Sequence, residues 1–334
     1  MCNKELTVNT NVWPKDGHSK EPDEPLEIHV TYGQNAEDEH KINSVQIESN
    51  TTVTYPSGKL LHPKEYCLKY HIYEEVQSLC VDDNKVLLAS YGGKAPDKNY
   101  DLENKLLYNI GTGAFSSIFK NFPKQIVFKT NDGPVDEKSP YRYLYKYEVV
   151  KKLPNGILNK LCVDNIIAKW QDVPIGPKQG KDDKPDRYYA ALRSASVRVA
   201  NDASDEPGKN EVMLCGLERC DETAFGIKIT LTVPESNKTT HPVSVMKHLL
   251  DGVICAFHGE KGETEQMLKE KFKDEELKCQ ADWPILGNQD YLRKYGNGFK
   301  WYPADEANRL KFGWIIVKCD GKEYKMSGEI YNWD

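Results

Sequence analysis

The chain has 334 residues, of which 39% are hydrophobic and 10% aromatic, enough apolar material for one large or two medium domains and too much for a disordered protein. Its formal charge of −6 and pI near 5.8 argue against whole-surface binding to nucleic acid or anionic membranes. No apolar run spans a bilayer, the N-terminus lacks a signal-peptide core, and the nine cysteines lack CxxC spacing. Reduced, mostly buried thiols and a cytoplasmic location are therefore expected.

Residues 1–24 are polar and Pro-punctuated, which predicts a loose arm. Leu26–Tyr32 has strand character, and Ser44–Ile47 with Thr52–Tyr55 predicts a hairpin around Glu48-Ser49-Asn50. Pro63 suits a first helical turn, and Cys67, Tyr70, Tyr73 and Val76 follow at helical spacing. Lys85–Tyr91 predicts a strand and Asp101–Phe119 a helix, with Leu107, Ile110, Ala114 and Ile118 as its apolar stripe. Gln125–Lys129 and Tyr141–Val150 predict strands joined by a polar turn, and Ile157–Trp170 a further helix.

The Pro-, Gly- and charge-rich stretch 171–187 is the expected linker between a first unit, 25–170, and a second, 188–334. In the second, Tyr188–Val199 and Phe225–Val233 predict strands, and His241–His258 a helix with a helical continuation over Glu263–Phe272. Residues 280–310 predict irregular structure with short helices. Phe312–Cys319 and Lys322–Tyr331 flank Asp320-Gly321, the pattern of a tight terminal hairpin.

The two predicted central helices echo one another. Lys105, Leu107, Ala114 and Phe115 recur as Lys247, Leu249, Ala256 and Phe257 at one common offset, each copy after a strand and before two more strand-like runs. The expected fold is α+β: two units of antiparallel strands, each around a central helix, with an internal repeat as the explanation to be tested.

Three patterns bear on chemistry. On the second helix, at about 100° per residue, Val245, Met246, Leu249, Leu250, Val253, Ala256 and Phe257 share one face. The opposite face holds His241, Ser244, His248, Asp251, Cys255 and His258, with neighbours at i,i+3 and i,i+4. His248, Asp251 and His258 are the candidate ligands for a divalent metal, and hydrogen-bonded packing is the competing expectation. Next, Tyr141, Tyr143, Tyr145 and Tyr147 alternate, which places four rings on one side of a strand, expected to pack against a core and otherwise able to stack bases or sugars. The Gly-rich GTGAF at 111–115 lacks phosphate-loop spacing.

Third, Asp101-Leu102-Glu103-Asn104, and separately Lys247 with Asp251, resemble parts of the core of Holliday-junction resolvases of the RusA kind, about a dozen residues in each copy. That resemblance implies acidic residues that bind magnesium and a lysine that assists phosphodiester cleavage, making Asp101, Glu103, Lys247 and Asp251 the candidate catalytic residues. Leu107 and Gly111 stand where the first copy would need Lys and Asp. His241, Val243 and Ser244 stand where the second would need its acidic run.

With no complete triad, metal box or nucleotide loop, the primary expectation is a non-catalytic binding or interaction module. The alternative is a divalent-metal-dependent enzyme acting on nucleic acid, a partner that the net negative charge disfavours. No membrane partner is expected.

Overall fold

The computed structural model describes residues 2–8, 26–35, 38–53, 63–79, 84–93, 102–108, 123–131, 138–176, 186–200, 202–215, 224–258, 285–286, 292–295, 298–301 and 309–333. It is a mixed α and β structure that divides into two compact units, Met1–Leu153 and Pro154–Asp334.

The first unit holds β1 (Cys2–Val8), β2 (Leu26–Asn35), β3 (Asp38–Ser49), α1 (Pro63–Gln77), β4 (Val86–Gly93), a π-helical turn (Asn104–Tyr108), β5 (Gln125–Thr130) and β6 (Tyr143–Val150). Its sheet order is β1-β2-β3-β6-β4-β5. Alternation decides the faces: Leu26, Ile28, Val30, Val45 and Ile47 are buried, whereas His29, Thr31, Gln46 and Glu48 are half-exposed. α1 lies against β2 and β3 and buries Cys67, Leu68, Ile72 and Val76. β4 is buried over Val86–Gly92, as suits a strand paired on both edges, parallel to β5 and antiparallel to β6.

The second unit holds α2 (Asn155–Lys160), β7 (Ile166–Pro174), α3 (Asp186–Arg193), β8 (Ser196–Ala200), β9 (Glu211–Cys215), β10 (Phe225–Pro234), α4 (Pro242–Ala256), the small hairpin β11 (Leu292–Tyr295) with β12 (Gly298–Trp301), β13 (Leu310–Gly321) and β14 (Lys325–Asn332). Its main sheet runs β13-β10-β14-β7-β9-β8. α4 packs on β13, and α3 packs on α4 and β7. Trp170 of β7 meets Phe257 at the end of α4, ring centroids 5.4 Å apart, which identifies the side of this sheet that carries α4.

The two units share a strand pattern. In the first, β4 has β5 parallel on one side and β6 antiparallel on the other, and β3 lies antiparallel beyond β6. In the second, β10 has β13 parallel and β14 antiparallel, and β7 lies antiparallel beyond β14.

Several expectations are corrected. The sheets are mixed, not antiparallel, because β4/β5, β10/β13 and β8/β9 pair in parallel. The tight terminal hairpin does not form: β13 and β14 reverse direction around Asp320-Gly321, but β10 lies between them and takes the hydrogen bonds of both. β4 separates β5 from β6 in the same way. The N-terminal residues Cys2–Val8 are not loose but hydrogen-bond along the edge of β2. Asp38–Ser49 is one strand, since β2 and β6 flank it, and no hairpin turns at Glu48. Residues 157–170 split into short α2 and strand β7, because Ile166–Trp170 pairs with β14 and β9. Residues 186–193 are helical, burying Tyr188, Tyr189 and Leu192 on one side. The units divide at Leu153/Pro154, and the expected linker begins with the last residues of β7, Gln171–Pro174. Among the described residues of 280–310, β11 and β12 form strands where irregular structure with short helices is expected. Residues 9–25, 109–122, 177–185 and 259–284, with the expected continuation at 263–272, lie outside the described residues.

Candidate functional site

α4 begins as its sequence predicts. His241 is its N-cap: its Nδ1 accepts from the Ser244 N–H (3.3 Å), the Ser244 hydroxyl bonds back, and Pro242 fills the first turn. Met246, Leu249, Leu250, Val253, Ala256 and Phe257 are buried as the stripe requires. The polar face is not a solvent face, however. Ser244 is exposed and His248 half-exposed, but Asp251, Cys255 and His258 are buried at the end that meets α3.

The candidate metal ligands are held by other contacts. His258 Nδ1 lies 2.7 Å from the Ile254 carbonyl oxygen, which requires a proton on that nitrogen and leaves Nε2 as the nitrogen with a lone pair in the neutral ring. Buried Arg193 donates to the His258 carbonyl oxygen at 2.5 Å, tying α3 to the end of α4. Asp251 pairs with Lys247 at 3.2 Å, with side chains only 12% and 14% exposed. Among the described residues, no group of three or more His, Cys, Asp or Glu is placed to share a metal ion. Of the candidate catalytic residues, Lys247 and Asp251 are therefore together in the second unit, Glu103 is buried in the first, and Asp101 lies outside the described residues.

Glu103 belongs to a polar cluster that the sequence did not announce. Glu103, Asn104 and Lys105 are consecutive and buried where the helix widens into its π turn, a geometry often found at functional sites. Lys105 Nζ donates to Thr52 Oγ1 at 2.9 Å and stands 5.4 Å from the centre of the Tyr91 ring. The Tyr145 hydroxyl accepts from the Val53 N–H (2.9 Å) and shares a hydrogen bond with Thr52 Oγ1 (3.0 Å). Thr52 Oγ1 also shares a hydrogen bond with the Tyr91 hydroxyl at 3.1 Å. The Tyr147 hydroxyl donates to the Leu106 carbonyl oxygen at 2.8 Å, and burial holds that phenol well above its usual pKa. Tyr145 and Tyr147 are therefore core members with committed hydroxyls. The one legible signal was three polar residues in a row within an apolar helix.

The third assembly lies on the side of the second sheet turned away from α4. Trp314, Lys228, Glu329, Lys169, Met213 and Arg198 form one cross-strand row, each directly opposite the next, through β13, β10, β14, β7, β9 and β8. The next row along the same strands, Ile315, Ile229, Gly328, Trp170, Val212 and Val197, points to the α4 side and is apolar. Within the polar row Lys228 Nζ lies 5.4 Å from the Trp314 ring centre and 2.8 Å from Glu329 Oε2, with the two charged side chains 31% and 28% exposed. The Tyr331 hydroxyl donates to the same oxygen at 2.5 Å; burial first, then that carboxylate, push its phenol far above the usual value. Buried Lys169 reaches Glu206 at 3.4 Å, and Arg198 binds Asp205 and Glu211, so the 202–210 loop is drawn onto this side of β7–β9. The β13–β10–β14 end keeps its side chains half-exposed.

No family model matches this chain, and neither the curated proteins nor the solved structures compared with it contain a match. Among the described residues no helix is long and apolar enough to cross a membrane.

Proposed function

We propose that this chain is a binding protein whose ligand face is the side of the second sheet turned away from α4. The observation that carries this reading is the cross-strand row: charged and aromatic side chains stand in register on one side of strands whose other side is apolar. Ion pairs and ring contacts hold these side chains in place before any ligand arrives, which lowers the ordering cost of binding. Of the residues that resembled a nuclease core, Lys247 and Asp251 form an ion pair with one another. The matching strand pattern of the two units supports an internal duplication, with each unit built around the strand that feeds its echoed helix.

The test is a melting-temperature screen of the whole protein against divalent metals, nucleotides, oligonucleotides, oligosaccharides and peptides, repeated on a Lys228→Gln/Glu329→Gln double variant. A compound that stabilises the parent and not the variant supports the face. A compound that stabilises both equally places binding elsewhere. A rise with manganese that disappears in Asp251→Asn would favour the metal-dependent enzyme.

A further inference from the structure

We infer that β8, the outer strand of the second unit's sheet, is an interface with a second copy of this chain, pairing antiparallel with the same strand of that copy about a two-fold axis. Among the described residues the sheet ends at β8, which pairs with β9 on one side only. An open strand edge is a template for another strand, and proteins blunt such edges with Pro, Lys, a bulge or a covering element. β8 reads Ser-Val-Arg-Val-Ala, with neither Pro nor Lys, and holds an unbroken register with β9. Its side chains leave apolar surface in solvent. Val197 is half-exposed, and Val199 is 51% exposed, more than any other large apolar side chain among the described residues.

What selects a second copy is the parity of the strand. The Ser196 N–H donates to the Asn210 carbonyl oxygen (3.2 Å), one residue before β9 begins. Backbone direction alternates along a strand, so Ser196, Arg198 and Ala200 turn their N–H and C=O groups to β9, and Val197 and Val199 turn theirs outward. A two-fold axis at Arg198 then sets Val197 opposite the partner's Val199, and Val199 opposite the partner's Val197. Both are hydrogen-bonded pairs, which gives about four bonds between the chains, and each covers one solvent-facing valine with another. The full length of the strand is paired in this register, with Ser196 opposite the partner's Ala200 and Arg198 opposite the partner's Arg198. The like charges that meet at the axis are each neutralised within their own chain: Arg198 binds Asp205 at 3.2 Å and Glu211 at 3.4 Å. A second copy carries this match of length, parity and valine spacing by symmetry.

The interface is small, so a weak dimer with a Kd on the order of 10 µM is expected. Sedimentation equilibrium of the whole protein, over concentrations from about 1 to 200 µM, should show the mass rising from 38.1 kDa towards twice that value. Val199→Lys places an ammonium on the open edge against the partner's Val197 and should raise the Kd by about tenfold or more. The register is read by cross-linking under a mild oxidant, with the linked residues mapped by mass spectrometry. Arg198→Cys brings the two substituted positions to about 4.5 Å between Cα atoms, inside disulfide range. Val199→Cys leaves them on a diagonal, about 7–8 Å apart and outside it. The first variant should link through residue 198, and the second should not link through residue 199. A single-chain mass at every concentration overturns the inference and leaves the edge to a strand of a different protein. A dimer that Val199→Lys does not weaken, or in which folded Arg198→Cys fails to link through residue 198, also overturns it by placing the contact elsewhere. Position 199 is exposed, so the lysine variant keeps the test decisive should Arg198→Cys misfold.

Discussion

Gly328 leaves the place that Trp170 occupies. A Cβ there would stand 2.3 Å from Trp170 Cζ2 and 2.7 Å from the Lys228 carbonyl oxygen, so neither the ring nor the backbone could stay where it is. Gly328→Ala should therefore destabilise the protein by about 3 kcal/mol through overpacking, measured as a lower urea midpoint. A change within error would mean that Trp170 does not lie over β14. A second residue is legible through its charge. Burial pulls the Lys69 ammonium on α1 down from 10.5 to about 8. The unfolded chain then binds more protons than the folded one between those two values, so stability from this group rises with pH across that window, and the cost of burying the charge is fully present below it. Lys69→Met should melt higher than the parent at neutral pH, with an advantage that shrinks as pH is raised from about 8 to 10.5. An advantage that stays constant over that range would show that the ammonium is not what burial opposes. Neither Gly328 nor Lys69 stands out in the sequence, because what singles them out is the ring or the burial that tertiary packing supplies.

At the scale of elements, the sequence located strands and helices better than it paired them. The period of α4 and its Pro242 start were readable, and the apolar stripe is buried as expected. Its polar face divides: Ser244 and His248 keep exposure, Asp251, Cys255 and His258 are buried, and α3 packs on the helix with Arg193 bonded to the His258 carbonyl oxygen. α3 itself comes from residues 186–193, whose Tyr188–Tyr189 pair reads locally as a strand. Asp251→Asn accordingly does more than remove a surface charge. It leaves Lys247 mostly buried beside a neutral amide, and about 2 kcal/mol of stability should be lost in urea unfolding. The double change Lys247→Met/Asp251→Leu should recover much of that loss, because an ion pair replaced by apolar groups of similar size is often near neutral. If the single variant were as stable as the parent, the pair would contribute nothing and the carboxylate would be free for another role. The terminal hairpin fails because another strand takes the place between its arms. Turn residues such as Asp320-Gly321 report that the chain reverses, and β13 and β14 do reverse; they cannot report that β10, nearly a hundred residues earlier, has been inserted between them.

For the whole molecule, the same insertion in both units is the strongest support for the repeat. A short match around Lys105 and Lys247 could be chance, but one parallel and one antiparallel partner for each of β4 and β10 is independent of it. Each unit then has a strand pattern of its own, and residues 154–334 expressed alone should show a cooperative thermal transition with native-like near-ultraviolet circular dichroism. A fragment that melts without cooperativity would show that the second unit does not fold by itself. The candidate ligand face was not legible beforehand because its row draws residues from 169 to 329, brought together only by strand register.

The central claim is that this face meets a ligand, and lysine acetylation footprinting of the whole protein, with and without a compound that raises its melting temperature in the screen, tests it most directly. Lys228, Lys318 and Lys325 should be modified in the free protein and protected when that compound is added, while buried Lys169 reacts little in either state. Protection confined to other lysines, such as Lys64, Lys85 or Lys151 of the first unit, with these three reacting unchanged, would contradict the account.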